Sequence, residues 1–145
     1  MPYKGTFRPS YPEKYLGDPS NIIFRSLWER SLMKYFDTSK SVLKWSSEEI
    51  KIPYLSPKDN KIHQYYPDFV IKARMKDKTE KIIMIEVKPQ KQTEPPKQPK
   101  RKSKSYLNEC VTYSVNVAKW AAAQKYCEEK GWDFKLMTEK NIYGK

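Results

Sequence analysis

Cysteine and histidine are nearly absent. Cys110, Cys127 and His63 are the whole complement in a chain of 145 residues. The cysteines form no CxxC pair, and one histidine cannot complete the nitrogen and sulfur donor set of a zinc site. Two free buried thiols are the simplest reading, and His63 reads as a strand residue rather than a ligand or base. No apolar run approaches the roughly 20 residues that span a bilayer, so no membrane partner is expected. The opening Met1-Pro2-Tyr3-Lys4-Gly5 carries no apolar signal-peptide core, which points to a cytoplasm-like compartment. Neither an RRM nor a KH signature is visible, which weakens an RNA-binding reading. Acidic residues are few, 17 against 29 lysines and arginines, leaving a formal charge of +12.

That excess sets up a positive field that attracts polyanions, nucleic acid foremost, with an acidic membrane surface or protein as the alternative. Hydrophobic residues make up 38% of the chain and aromatics 14%, enough for a packed core and too much for a disordered chain. The length suits one domain over residues 1–145.

Residues 1–18 hold Tyr3, Phe7, Tyr11 and Tyr15 among three prolines. They read as an extended arm that packs its aromatics on the domain. Asp18-Pro19 has the chemistry of an N-cap and first helical position. It predicts a helix to about Phe36 or Asp37, with Phe24, Leu27, Trp28, Leu32 and Tyr35 as its apolar face. Three strands are expected next. The first runs from Glu49 to Leu55, with Ile50, Ile52 and Tyr54 on one face. A turn at Ser56-Pro57-Lys58-Asp59-Asn60 leads to the second, Ile62 to Ala73, with Pro67 at an edge or bulge. The third, Lys81 to Lys88, contains the continuous apolar run Ile82-Ile83-Met84-Ile85 of a strand covered on both faces. Residues 89–105 form a basic, proline-rich loop. A helix follows from Val111 or Ser114 to Lys130, closed by Gly131, then a strand over Trp132 to Met137. The tail from Thr138 is left unassigned. The order α-β-β-β-α-β gives an α/β fold, a central sheet flanked by helices.

Ile85-Glu86-Val87-Lys88 places a carboxylate and an ammonium on one face of a strand, because residues two apart point the same way. Glu-x-Lys alone also describes a salt-bridged strand end. Tyr66-Pro67-Asp68-Phe69-Val70 offers a second carboxylate, though a lone aspartate there also suits a turn or bulge. Eighteen residues separate Asp68 from Glu86, which lets a hairpin bring them together. Such carboxylates suit Mg²⁺, a hard ion that prefers oxygen ligands, polarises a phosphate and acidifies an attacking water. A neighbouring lysine can orient that water or offset developing charge. Phosphodiester cleavage is therefore the expected chemistry. Glu29 shares a helical stripe with Ile22, Ser26, Met33 and Phe36. It is either a third site carboxylate or half of a surface pair with Arg25 or Arg30. Gln124, on a stripe with Tyr113, Val117, Trp120 and Cys127, is either a site residue or a satisfied amide. Lys91, Lys97, Lys100, Arg101, Lys102 and Lys104 in and beside the basic loop are expected to follow a DNA backbone.

The blocks Arg25-Ser26-x-Trp28-Glu29, Tyr66-Pro67-Asp68, Glu86-x-Lys88-Pro89 and Tyr113-Ser114-Val115-Asn116-x-x-Lys119-Trp120 resemble the head-completion nucleases of T-even-like tailed phages. So do Gly17-Asp18-Pro19 and Gln92-Thr93-Glu94-Pro95-Pro96. That family is similar to the transposon-end endonuclease branch of the PD-(D/E)XK superfamily. The resemblance implies a restriction-endonuclease-like core with a mixed central sheet. It implies Mg²⁺ or Mn²⁺ on Asp68 and Glu86, with Glu29 as a further carboxylate, Lys88 positioning the attacking water, and Gln124 at the second-helix polar position. It also implies double-stranded DNA as substrate, portal, neck or head proteins as partners, and the host cytoplasm and virion as location. A non-catalytic DNA-binding protein of the head or neck is the alternative from another class. Clustered carboxylates beside a lysine argue against it.

Overall fold

A computed structural model describes residues 4–143; Tyr3 of the arm lies outside the described residues. Four strands form the central sheet. β3 (Val42–Ser47) pairs antiparallel with β6 (Phe69–Arg74), β6 antiparallel with β7 (Glu80–Val87), and β7 parallel with β8 (Asp133–Met137). The sheet order is β3-β6-β7-β8, a mixed sheet. Parallel neighbours need a long crossover, and α2 (Lys104–Lys130) supplies it. Gly131, left-handed at φ 75°, then ends α2.

Each face of the sheet is covered. Met84 and Ile85 are adjacent on β7, point to opposite sides, and are both buried. On one side Ile85, Phe69 and Ile71 pack with Trp45 against Leu32, Met33 and Phe36 of α1 (Leu27–Thr38). On the other, Met84 and Val70 pack against Ala123 and Cys127 of α2 and against a hairpin of β4 (Ile52–Ser56) and β5 (Lys61–Tyr65). The apolar run Ile82–Ile85 thus lies between two layers, as its composition requires. Cys127 is buried but Cys110 is partly exposed, and both thiols are free.

Several expected boundaries move. Asp18 does not start the helix. Its Oδ1 accepts the Ser20 N–H at 3.0 Å and the Ser20 hydroxyl at 2.6 Å, a local turn that competes with helix. Ile22–Phe24 then becomes β2, paired with β1 (Gly5–Phe7). The arm packs Phe7 and Tyr15 edge-on against Trp45, while Tyr11 stays exposed. The helix is instead capped by Ser26, whose Oγ accepts the Glu29 N–H at 3.1 Å. Its buried face is Leu32, Met33 and Phe36, not Leu27 and Tyr35, which are 44% and 55% exposed.

The expected strand over Ile62 to Ala73 is two strands in two different sheets. Pro67 lacks the N–H a ladder needs, so the chain leaves β5 after Tyr65 and re-enters at Phe69. β3 was not anticipated. α2 begins at Lys104, capped by Ser103 accepting the Tyr106 N–H at 3.0 Å, well before Val111. A one-turn 3₁₀ helix, Gln90–Thr93, sits in the basic loop, and a short α3 (Glu139–Tyr143) follows β8.

Candidate active site

Antiparallel pairing sets Phe69 opposite Ile85, so the residue entering β6 and the residues leaving β7 meet at one end of the sheet. Asp68 and Glu86 are those residues, and backbone hydrogen bonds tie them together. The Asp68 N–H donates to Glu86 Oε1 at 3.3 Å, and the Val87 N–H donates to Asp68 Oδ2 at 2.8 Å. The Tyr65 hydroxyl donates to the same Glu86 Oε1 at 2.7 Å. One oxygen of each carboxylate is thereby engaged. Among the described residues, Asp68 Oδ1 accepts no hydrogen bond, and Glu86 Oε2 has only the Lys88 ammonium, 3.9 Å away. Glu86 and Lys88 share a face of the strand end, as their two-residue spacing predicts.

Burial sets the electrostatics. Asp68 is held well above the ordinary carboxylate range, first by burial and then by the charge of Glu86; the Val87 N–H and Lys88 oppose this. Burial also raises Glu86, against the Tyr65 hydroxyl, Lys88, the Asp68 N–H and Lys119. The Tyr65 phenol is pushed up by burial and by Glu86. Two adjacent carboxylates, Glu86 buried and Asp68 half-buried, therefore resist sharing two negative charges unless a cation joins them. One free oxygen on each, with a net demand for positive charge, is a donor set that fits a small divalent ion.

Glu29 stands at the third position of α1 and reaches back to accept the Arg25 N–H at 3.2 Å, close to a capping box. Burial raises it, and the charges of Glu48 and Glu86 add to the effect. Neither expected surface pair forms. The Arg25 guanidinium grips Glu48 at 3.1 and 3.2 Å, and Arg30 lies over the Phe24 ring. Glu29 acts on the centre through space, its charge adding to the rise of Asp68; among the described residues no three acidic, histidine or cysteine side chains form a metal-holding group.

Gln124 is not brought to the site. It is exposed on α2 and its amide donates to Glu128 at 3.4 Å, because the sheet-facing stripe of that helix runs through Asn116, Ala123 and Cys127. The nearer α2 residue is Lys119, whose ammonium sits over the rings of Tyr54 and Tyr65 at 5.9 and 5.8 Å. Tyr65 and Glu48 do not stand out in the sequence, and Lys119 does so only within a resembling block. Tyr65 lies 21 residues from Glu86, and no local pattern reports their bond. His63 is an exposed strand residue bonded to Asp59 at 2.7 Å. Lys91, Lys97, Lys100, Arg101, Lys102 and Lys104 are all exposed.

A mixed sheet sandwiched by helices, with acidic groups at one end of its central strands, defines a restriction-endonuclease-like fold. Residues 39–139 match the family model described as TnsA-like endonuclease N terminal, and the chain belongs to this family. The matched stretch contains Asp68, Glu86 and Lys88; Glu29 precedes it. The chain is also 36% identical over 146 residues to the head completion nuclease of Enterobacteria phage T4, covering 98% of this chain and 95% of that protein.

Proposed function

We propose that the protein is an endonuclease that hydrolyses phosphodiester bonds of double-stranded DNA at Asp68, Glu86 and Lys88, with Mg²⁺ or Mn²⁺ held by Asp68 and Glu86. The observation that carries this reading is the reciprocal tie of a buried and a half-buried carboxylate, each with an oxygen that accepts no hydrogen bond, beside one ammonium. When bound, the ion would supply Lewis-acid polarisation of the phosphate and a more acidic water. The chain's own groups do the rest. The Val87 and Asp68 N–H groups fix the two carboxylates in advance, so no reorganisation is needed as charge develops. Tyr65 holds Glu86 ionised and oriented. Lys88 Nζ donates toward the attacking water and the phosphate oxygens. Glu29 adds negative potential that favours cation binding at the centre. The exposed cations of residues 91–104 track the DNA backbone without reading sequence.

By its likeness to the phage protein, the cleavage would serve head completion through processing of DNA ends. Portal, neck or head proteins would be its partners, in the host cytoplasm and then the virion. Incubation with supercoiled plasmid in Mg²⁺, Mn²⁺ or EDTA tests the activity. Nicked or linear product that needs the metal is expected. Intact plasmid under all three conditions, with DNA binding preserved, would favour a structural DNA-binding role instead.

A further inference from the structure

α1 has a second charged side, away from the carboxylates. Arg30 and Lys34 are one helical turn apart and face a recess of about 320 Å³ closed by the N-terminal arm, where Arg8 follows β1. All three side chains belong to exposed residues. None of them forms an ion pair among the described residues; the arginine and lysine pairs there involve Arg25, Lys72, Arg74, Lys81 and Lys88. Asp37 is the one carboxylate lining the recess, and it is already committed. Its Oδ2 accepts the Ser10 N–H at 2.7 Å and its Oδ1 the Tyr11 N–H at 3.0 Å. These bonds pin the arm to the end of α1, so the recess walls are fixed before any ligand arrives. Thr6, Ser10 and Thr38 line the same space.

Three cations without a carboxylate partner, Arg30 among them resting on the Phe24 ring, surround a recess of mixed polar and apolar lining and, set against one occupied carboxylate, match a tetrahedral phosphate, which takes several charge-assisted donors at once. We propose that this recess is a phosphate-binding site, occupied during function by a backbone phosphate of the DNA engaged at the active centre. Its place supports that occupant. Arg30 follows Glu29 directly, and a helix is only about 10–12 Å across with its side chains, so a strand passing the centre stays within reach of the recess. The DNA assignment rests on the nuclease reading; the phosphate chemistry does not.

The test is the Arg30→Ala/Lys34→Ala variant, made on exposed helical positions where alanine is well tolerated. Binding of a labelled duplex is followed by fluorescence anisotropy in EDTA across a salt series. Lys76→Ala/Lys78→Ala, at the opposite end of β6 and β7, removes equal charge as a control. The recess variant should bind several-fold more weakly, with its salt slope reduced by about 0.9 for each lost phosphate contact, while the control keeps the wild-type slope. In parallel, inorganic phosphate is titrated against the backbone amide signals of Thr6, Ser10 and Arg30. Phosphate shifts that vanish in the variant, with DNA binding unchanged, would keep the site and assign it to free phosphate. Equal losses in both double variants, or no change in DNA binding and no phosphate shifts, would overturn it. Plasmid cleavage by the wild type in Mg²⁺ separates the two readings. If the wild type fails to cut yet the recess variant alone loses salt slope, the nuclease reading falls and the phosphate site stands.

Discussion

Tyr65→Phe removes one oxygen from the centre and leaves the ring. The lost bond is the 2.7 Å contact from the Tyr65 hydroxyl to Glu86 Oε1, inside the protein. A hydrogen bond to an ionised group contributes about 1.5–3 kcal/mol. The lower end applies, because Oε1 still accepts the Asp68 N–H at 3.3 Å. A loss of about 1.5 kcal/mol lowers the melting temperature of a domain this size by about 3–6 °C. A purely structural tyrosine would do the same, so the melt does not decide. The pH profile does. The hydroxyl favours the ionised form of Glu86, so its removal raises the Glu86 pKa further. The acid limb of the cleavage rate should move toward higher pH. Half-activation by Mg²⁺ should need more metal. Cleavage of a plasmid at fixed DNA, from pH 5.5 to 9, measures both. A lower melting temperature with an unmoved acid limb and unchanged metal requirement would show that Tyr65 supports the fold and not Glu86.

Three further outcomes follow from the same geometry. Asp68 and Glu86 are both raised in the fold above the ordinary 3.8 and 4.5. In metal-free protein the native state then keeps protons that the unfolded chain releases, and stability falls as pH rises from those values through the folded ones. Urea denaturation in EDTA should show that decline, and Asp68→Asn should flatten it; a stability that rises over the same range in the wild type would refute the shift. Mg²⁺ at a hundred times its dissociation constant should stabilise the wild type by about 2.7 kcal/mol and leave Asp68→Ala unmoved in a thermal melt; equal responses would place the ion elsewhere. Replacing Lys100, Arg101 and Lys102 with alanine should weaken duplex binding and cut its salt slope by up to about 0.9 per lost contact, and an unchanged slope would remove the basic loop from the DNA path.

The meeting of Asp68, Glu86 and Lys88 was legible because it rests on short-range rules. The alternation of a strand puts Glu86 and Lys88 on one face, and eighteen residues between Asp68 and Glu86 suffice for one hairpin. Of the stripe through Ile22, Ser26, Glu29, Met33 and Phe36, the last three lie in α1, which buries Met33 and Phe36, while Ser26 caps the helix and Ile22 belongs to β2. What failed depended on distance or on competition. β1 and β2 pair across residues 8–21, a stretch too long to carry a hairpin signal, so Ile22–Phe24 read as helix behind a persuasive Asp18-Pro19. β3 ends in Ser46 and Ser47, buried polar residues that hide a strand from any apolar pattern. α2 starts early because Ser103 caps it, while Leu107 and Val111 remain exposed and leave no core-facing period to detect. The Arg25–Glu48 pair and the Tyr65–Glu86 bond exist only once the chain is folded, and single-sequence spacing is silent on both.

The most direct test of the account is the single-turnover cleavage rate of Asp68→Asn at saturating DNA and Mg²⁺. Asparagine keeps an oxygen for the Val87 N–H, bonded at 2.8 Å in the wild type, so the fold and DNA affinity should persist while the charge is lost. The account predicts a fall of about a hundredfold or more, equivalent to about 2.7 kcal/mol of barrier. A rate within two- or threefold of the wild type, in a variant that still binds DNA, would show that Asp68 is not at the reacting centre.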